Sequence, residues 1–377
     1  MLNIEQLSYW ERKTFLEDID FVVIGAGIVG YSTALHLRKT YPSAKITILE
    51  RGYLPSGASS KNAGFACFGS VTELLDDLDR TDENRVWETV ARRWEGLQYL
   101  QSIISIDQLK LETHGSWDLI MPEESAILND LRSMIPYLNQ CTEKITGHSG
   151  VYSEDQTLIQ KFGFNNLVTS FYNKLEGQLD TGSMIRKFWQ ICIEKNIDVL
   201  FGIQVEGFND GSDGVIINTT VGEIKASNLM ICTNGFAREL LGEDVKPARG
   251  QVIVTERIPD LHIQGTFHYD RGYYYFRNID NRILLGGGRN LDFEGETTTE
   301  MITTPLIMNK LTDLLHNVIL PGKEVRMDYS WSGIMGVGSE KSPIIKKISP
   351  HVGIGVRMGG MGVAIGSQVG KELAELF

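Results

Sequence analysis

The stretch from Asp20 to Glu50, DFVVIGAGIVGYSTALHLRKTYPSAKITILE, limits the choice of fold more than any other part of this chain. Phe21 to Ile24 is an apolar, β-branched run of the kind a strand buried on both faces requires. Gly25, Gly27 and Gly30 follow in GxGxxG spacing, with Ala26 and Ile28 between them. In such a turn the first glycine permits the tight reversal and the second lets the backbone approach a pyrophosphate. The third lets the helix lie close on the strand. Ala34 and Leu37 continue the helix face that starts at Gly30. Lys45 to Leu49 reads as a second strand, ending at Glu50, where a carboxylate can accept hydrogen bonds from both hydroxyls of an adenosine ribose. Strand, glycines, helix face, second strand and terminal acid agree on a Rossmann-type α/β unit that binds a dinucleotide.

The remaining residues must say which dinucleotide, and to what end. At 377 residues the chain has room for two structural units or one large interleaved one. Glycine is enriched, 39 residues against a usual share of roughly 7%, which suits several close backbone approaches to a ligand. The net charge of −12 argues against a nucleic-acid partner, since phosphate binding needs clustered Lys and Arg. Cys67, Cys141, Cys192 and Cys232 form no CxxC pair and have no histidine at ligand spacing, so free thiols in a reducing compartment and no metal are expected. MLNIEQLSYWERKTFLEDID lacks the basic and apolar regions of a signal peptide, and no apolar run reaches the roughly 18 residues of a membrane span. The expectation is a cytoplasmic protein whose first 19 residues form an amphipathic lead-in helix.

Taken in order, the chain next offers RGYLPSGASSKNAGFACFGS, a loop of small residues with an apolar tail too greasy for an exposed position. Val86, Trp87, Val90, Trp94, Leu97 and Ile104 mark a helix over 83–104. A strand is expected at Ser116 to Met121, then a helix from Pro122 to about Asn139 with Ile127, Leu131, Met134 and Leu138 inward. Asp180 or Thr181 is a plausible N-cap for a helix that passes Cys192 and leads to a strand at Val199 to Phe201. A hairpin turning at Asn209-Asp210-Gly211 follows, then short strands at Glu223 to Ala226 and Asn228 to Ile231. A turn at Cys232-Thr233-Asn234-Gly235 then opens a helix over 236–241. From Gly250 to Arg289 the pattern changes to Tyr- and Phe-rich strands, Gln251 to Thr255, His268 to Phe276 and Ile283 to Gly287, expected as an antiparallel sheet over a substrate. In that sheet Tyr273, Tyr275 and Arg277 would share one face. A helix over 303–318 should turn Leu306, Leu311, Leu314 and Leu315 inward. Cofactor-type motifs thus occupy both ends and the middle. The expected division is a discontinuous cofactor-binding domain, 1–82, 150–245 and 326–377, interleaved with a substrate domain, 83–149 and 246–325.

These motifs resemble the FAD-dependent D-amino-acid oxidase family, the group with glycine oxidase, sarcosine oxidase and γ-glutamylputrescine oxidase. The likeness covers essentially the whole chain. It rests on VVIGAGIVGYSTALHL with Glu50, GASSKNAGF, Gly202 to Val205, CTNG, PARGQ, YYYFR, GGGR and GGMGV. The resemblance implies FAD, because a nicotinamide enzyme needs neither the second small-residue loop nor the C-terminal glycine motif. It implies that the first glycine turn holds the pyrophosphate and that Glu50, with Arg51 nearby, holds the ribose. Ser59 and Ser60 would reach the pyrophosphate and ribityl chain, with Gly57 and Ala58 also in the cofactor set. Asn62, Ala63, Gly64 and Phe65 would pass close to the flavin ring, and Val205 would bracket the adenine. Thr233, Asn234, Gly235 and Gly333 join the cofactor set, while Gly359, Gly360, Met361, Gly362 and Val363 would lie against the ribityl and pyrimidine side.

Chemistry in such a group removes a hydride equivalent from the carbon beside an amine and leaves an imine for water to hydrolyse. No protein base is obligatory, and the seven histidines are scattered. The catalytic candidates are Tyr275, Arg277 and Met361; the substrate contacts are Tyr273, Arg289 and His268, with Arg249 a third possible carboxylate partner. Some members attach FAD through a Cys in the segment matching Ser332 to Met335; this chain has no Cys after Cys232, so FAD is expected to be non-covalent. The partners implied are a small amine or amino acid and O2 or another electron acceptor; nothing in the sequence indicates an oligomeric state. Two alternatives stay open: a 2-hydroxy-acid dehydrogenase of the same superfamily, and a flavin-binding regulatory protein of low turnover.

Overall fold

The computed structural model of the chain describes residues 4–377. Two large sheets organise it. In the first, the strand Ile19–Ile24 lies at the centre, with Gly222–Ile231 and Ile46–Glu50 parallel on either side. Val352–Val356 extends one flank and Asp198–Phe201 the other, both parallel, and Ile344–Lys347 closes an edge antiparallel. The central strands are buried along their length, which is why their sequence runs apolar without alternating. The helices Ile28–Thr40 and Gly362–Ala374 pack against each other so closely that a Cβ on Gly370 would sit 2.5 Å from the Val29 carbonyl. On its other side the C-terminal helix meets Glu83–Ile103 at Gly96, where a Cβ would lie 2.0 Å from the Ala364 carbonyl. The N- and C-terminal cofactor motifs are thereby brought side by side.

The second sheet runs Met327–Val337, Lys246–Thr255, Arg282–Gly287, Tyr274–Ile279, Thr266–Tyr269, Ser116–Ile120, Thr169–Asn173 and Tyr152–Asp155. Trp117, Phe162, Phe164, Phe267 and Phe276 form a buried aromatic core with it. The α/β architecture is the one expected, but the second sheet is mixed: it is antiparallel except where Thr266–Tyr269 runs parallel to Ser116–Ile120. The strands Tyr152–Asp155, Thr169–Asn173 and Met327–Val337, however, pair in the second sheet. The expected boundaries at 150 and 326 therefore cut through it; short segments with little periodicity gave no sign of their partners.

Several local expectations are corrected. Glu223 to Ala226 and Asn228 to Ile231 are one strand, Gly222–Ile231, which pairs with the hairpin in its first half and the central strand in its second. The hairpin reverses between Gly211 and Gly214, since Asn209 to Gly211 still pair. His268 to Phe276 is two strands broken at 270–273, where Asp270, Arg271 and Gly272 take left-handed backbone angles. The first described residues make short 3-10, α and π turns with largely exposed side chains instead of one helix. In Pro305–Leu314 it is Ile307 that turns inward, while Leu306 is 52% exposed. Among the described residues no helix is long and apolar enough to cross a membrane.

Candidate active site

A cavity of about 530 Å³ runs between the two sheets and gathers residues from nearly every motif noted above. At one end are Glu50, Arg51, Gln204 and Val205; Gly25 to Ile28 and Thr233 follow; Gly359 to Val363 and the tyrosine-rich strands close the other end. The glycine turn behaves as its spacing predicts. Gly25 has φ +103°, and a Cβ on Gly30 would stand 1.9 Å from the Gly25 carbonyl oxygen. Only a residue without a side chain lets this helix approach its strand. Glu50 Oε2 accepts from the Ala26 N–H at 3.0 Å and Oε1 from the Gly52 N–H at 2.9 Å, which fixes the carboxylate at the strand end. Arg51 lies over the Phe236 ring, 3.7 Å from its centroid.

The small-residue loop is tied to this turn, since Ser59 Oγ accepts from the Ile28 N–H at 3.0 Å. Asn62 braces the loop, its amide donating to the Ala58 and Ser59 carbonyls and its oxygen accepting from the Gly64 N–H. Gly359 and Gly360, at φ +57° and +85°, lead into a C-terminal helix that begins at Gly362 with no side-chain cap. Uncapped backbone N–H groups at that edge are suited to negative charge. Thr233 Oγ1, a buried hydroxyl without a partner, lines the same cavity.

Of the residues expected at the ligand, Gly25, Ala26, Gly27, Ile28, Glu50, Arg51, Gly57, Ala58, Ser59, Asn62, Ala63, Phe65, Val205, Thr233, Asn234, Gly333, Gly359, Gly360, Met361, Gly362 and Val363 line the cavity. Gly30 does not, being spent on helix packing. Neither does Ser60, whose hydroxyl donates to the Pro55 carbonyl at 2.5 Å. Gly64 receives Arg277 on its carbonyl, and a Cβ on Gly235 would strike the Met335 carbonyl at 2.3 Å. These four lie outside the cavity lining, a distinction invisible in a motif string.

On the substrate side Tyr273, Tyr275, His268 and Arg289 line the cavity. Tyr273 does so from the turn, not from a strand. Burial pushes the Tyr275 phenol up to about 12 and the His268 imidazole down to about 4, so both are neutral near pH 7. Arg277 is the main correction. It is not among the residues that line the cavity, and its Nη1 donates to the carbonyls of Ala63, Gly64 and Leu179 at 3.1, 3.3 and 2.7 Å. It clamps the loop beside the cavity and offers no hand to a substrate carboxylate. Arg249 is likewise spent, on a buried two-point pair with Glu296 at 2.9 and 2.7 Å. Arg289 is different. Its guanidinium has no side-chain hydrogen bond or ion pair among the described residues and rests over the Phe293 ring, 4.7 Å to the centroid.

Sequence reasoning missed a charged end wall made by Glu73, Asp76 and Arg80 on the helix Val71–Arg80, together with Arg271 and Lys341. Glu73 pairs with Arg93 at 3.1 Å and Lys341 at 3.3 Å; Asp76 pairs with Arg80 at 3.0 Å and Arg271 at 3.5 Å. A signal was present: Ser70 as N-cap with Glu73 three residues on, before Leu74, Leu75 and Leu78 at helical spacing.

The profile of the FAD dependent oxidoreductase family matches residues 20–376. The chain belongs to that family. The oxidoreductase OrdL of Haemophilus influenzae is 22% identical over 96% of this chain and 83% of its own length. Escherichia coli γ-glutamylputrescine oxidoreductase is 20% identical over 95% and 83%. Among solved structures, L-proline dehydrogenase from P. horikoshii superposes with a TM-score of 0.76 at 18% identity, covering 96% of this chain and 93% of that one, and shares the fold. This family member is an FAD-dependent oxidoreductase, and its residues fit the cofactor. The glycine turn leaves no side chain where a pyrophosphate must approach, Glu50 waits at the ribose end, and the Thr233 hydroxyl lacks a partner. When bound, FAD supplies a two-electron acceptor.

Proposed function

We propose that the chain oxidises the C–N bond of an amine or amino acid that carries a carboxylate, with O2 as the acceptor. The carrying observation is Arg289, which lines the substrate side of the cavity in a half-buried place without an ion pair of its own among the described residues. Burial lowers its pKa, yet it stays cationic, so a carboxylate entering the cavity would gain charge-assisted hydrogen bonds with little competition. Tyr275 holds the aromatic wall, meeting Phe65 edge to face at 5.6 Å, and Gly286 makes room for its ring, which a Cβ there would meet at 2.6 Å. Met361 opens the C-terminal helix and shapes the opposite wall without bringing an ionisable group. Bound FAD, held by the glycine turn, Glu50 and the loop 57–65, would supply the two-electron acceptor for this oxidation; the substrate would give up two electrons and two protons overall to become an imine, which water would hydrolyse. The relatives named as γ-glutamylputrescine oxidoreductase and L-proline dehydrogenase support an amine or amino-acid substrate.

One observation favours 2-hydroxy acids as a second reading: His268 stands on the cavity wall, 5.1 Å from the Phe65 ring, where a neutral imidazole could accept the proton of an alcohol. Anaerobic addition of amines, D- and L-amino acids, γ-glutamyl amines and 2-hydroxy acids separates the two. Bleaching by amines or amino acids with peroxide formed in air supports the first reading; bleaching by hydroxy acids alone replaces it with the second.

A further inference from the structure

At the cavity wall three side chains converge from distant parts of the chain. Cys67 follows the short strand Phe65–Ala66, Glu176 precedes Gly177–Gln178, and His268 lies on Thr266–Tyr269. Their sulfur, carboxylate oxygen and ring nitrogen all fall within 4.8 Å of one another. Cys67 and His268 also line the cavity. Glu176 is fully buried, and its Oε1 accepts from the Phe68 and Gly69 N–H groups at 2.7 and 2.9 Å. That clamp leaves the second oxygen, Oε2, buried with no hydrogen-bond partner, and His268 Nε2 is buried without one too. No Lys or Arg pairs with Glu176 among the described residues; Arg93, which donates to the Phe68 carbonyl next door, is taken by Glu73. A carboxylate held in place, buried and without a counter-charge is costly unless a cation or a proton meets it.

We propose that Cys67, Glu176 and His268 bind one divalent transition-metal ion of the zinc type at the cavity wall, with its remaining coordination position open to the cavity. Thiolate, imidazole and carboxylate together suit a borderline ion such as Zn²⁺; Ca²⁺ and Mg²⁺ take oxygen ligands. A single cation engages the orphaned Oε2, the orphaned Nε2 and the sulfur at once, and supplies the missing positive charge. As the metal–sulfur bond forms, the Cys67 S–H bond breaks and its proton leaves to solvent; no electron is transferred. Thr266 Oγ1, 3.8 Å from the Cys67 sulfur, and the two amides on Glu176 supply the outer contacts that orient such ligands. Tetrahedral ligands stand about 3.3–3.8 Å apart when each is about 2.0–2.3 Å from zinc, so the three side chains close by about an ångström on binding. The sequence expectation of no metal rested on spacing, and here the ligands come from three separate segments.

The test uses holoenzyme purified without a metal-affinity column or chelator, equilibrated with Zn²⁺ and desalted. Elemental analysis should find about one zinc per chain, as a three-ligand site with an open position holds. Cys67→Ser, Glu176→Gln and His268→Asn should each lower that by about tenfold or more, with the flavin spectrum reporting that the variant is folded. In the wild type, zinc X-ray absorption should show one sulfur at about 2.3 Å with nitrogen or oxygen at about 2.0–2.1 Å. Wild-type protein that retains almost no zinc overturns the site, as does zinc retained undiminished in all three variants or zinc bound without sulfur. If the variants do not fold, the sulfur shell of the wild type decides alone. None of these measurements reads turnover, so they fail or succeed separately from amine oxidation.

Discussion

Two arginines that look alike in sequence have opposite duties. Arg277 donates to three loop carbonyls, and burial lowers it to about 10 without removing its charge at neutral pH. Arg277→Gln should therefore loosen the loop 57–65, lower flavin retention and the melting temperature, and leave KM for a carboxylate substrate within about twofold; a tenfold rise in KM with normal flavin content would return it to the substrate site. Arg289→Ala should raise that KM by about tenfold or more, since a charged hydrogen bond is worth roughly 1.5–3 kcal/mol. Glu73 makes a pH prediction. Burial alone would raise its carboxyl, but Arg93 and Lys341 outweigh burial and hold it at about 2. Its folded pKa is thus depressed below the usual 4.5, so its contribution is complete above pH 4.5 and is lost as pH falls from there towards 2. The size is on the order of 3 kcal/mol. Comparing the wild type with Glu73→Gln by thermal melts should show a stability gap at pH 7 that narrows at pH 3; a gap independent of pH would rule out the ion pairs as its source.

At the scale of elements, the sequence was most legible where local rules and tertiary demands coincide. Gly30, Glu50 and the Asp180 N-cap are such places: one backbone approach, one strand end and one helix start, each fixed by a single residue type. It was least legible where a residue's use depends on a distant partner. Ser60 sits in the same motif as Ser59, yet its hydroxyl closes a local turn while that of Ser59 bridges to the first glycine turn. Tyr273 left the strand because Asp270, Arg271 and Gly272 adopt left-handed angles, which no alternation pattern signals. Gly286→Ala tests the one packing relation on which the aromatic wall depends. Its methyl would collide with the Tyr275 ring, so kcat should fall while flavin retention is unchanged. Full activity would show that Tyr275 does not shape the site.

Across the whole molecule, the first sheet and its two packed helices line one end of the long cavity, and the second sheet roofs the other. The division of labour was visible in the order of motifs, but the assignment of Tyr152–Asp155, Thr169–Asn173 and Met327–Val337 to the roof was not, because strand pairing is decided by partners elsewhere in the chain, as Lys246 pairs with Val337 and Ser116 with Asn173. Since Ser332 to Met335 carry no cysteine beside the cavity, acid precipitation should release all the yellow colour into the supernatant; colour in the pellet would reveal a covalent link. The most direct test of the central claim is anaerobic flavin bleaching by the substrate panel in the wild type and in Arg289→Ala. Rapid bleaching of the wild type by a carboxylate-bearing amine or amino acid is expected, with the variant needing about tenfold or more substrate for the same rate. Equal half-saturation in both proteins, or a flavin that no amine or amino acid bleaches, would contradict it.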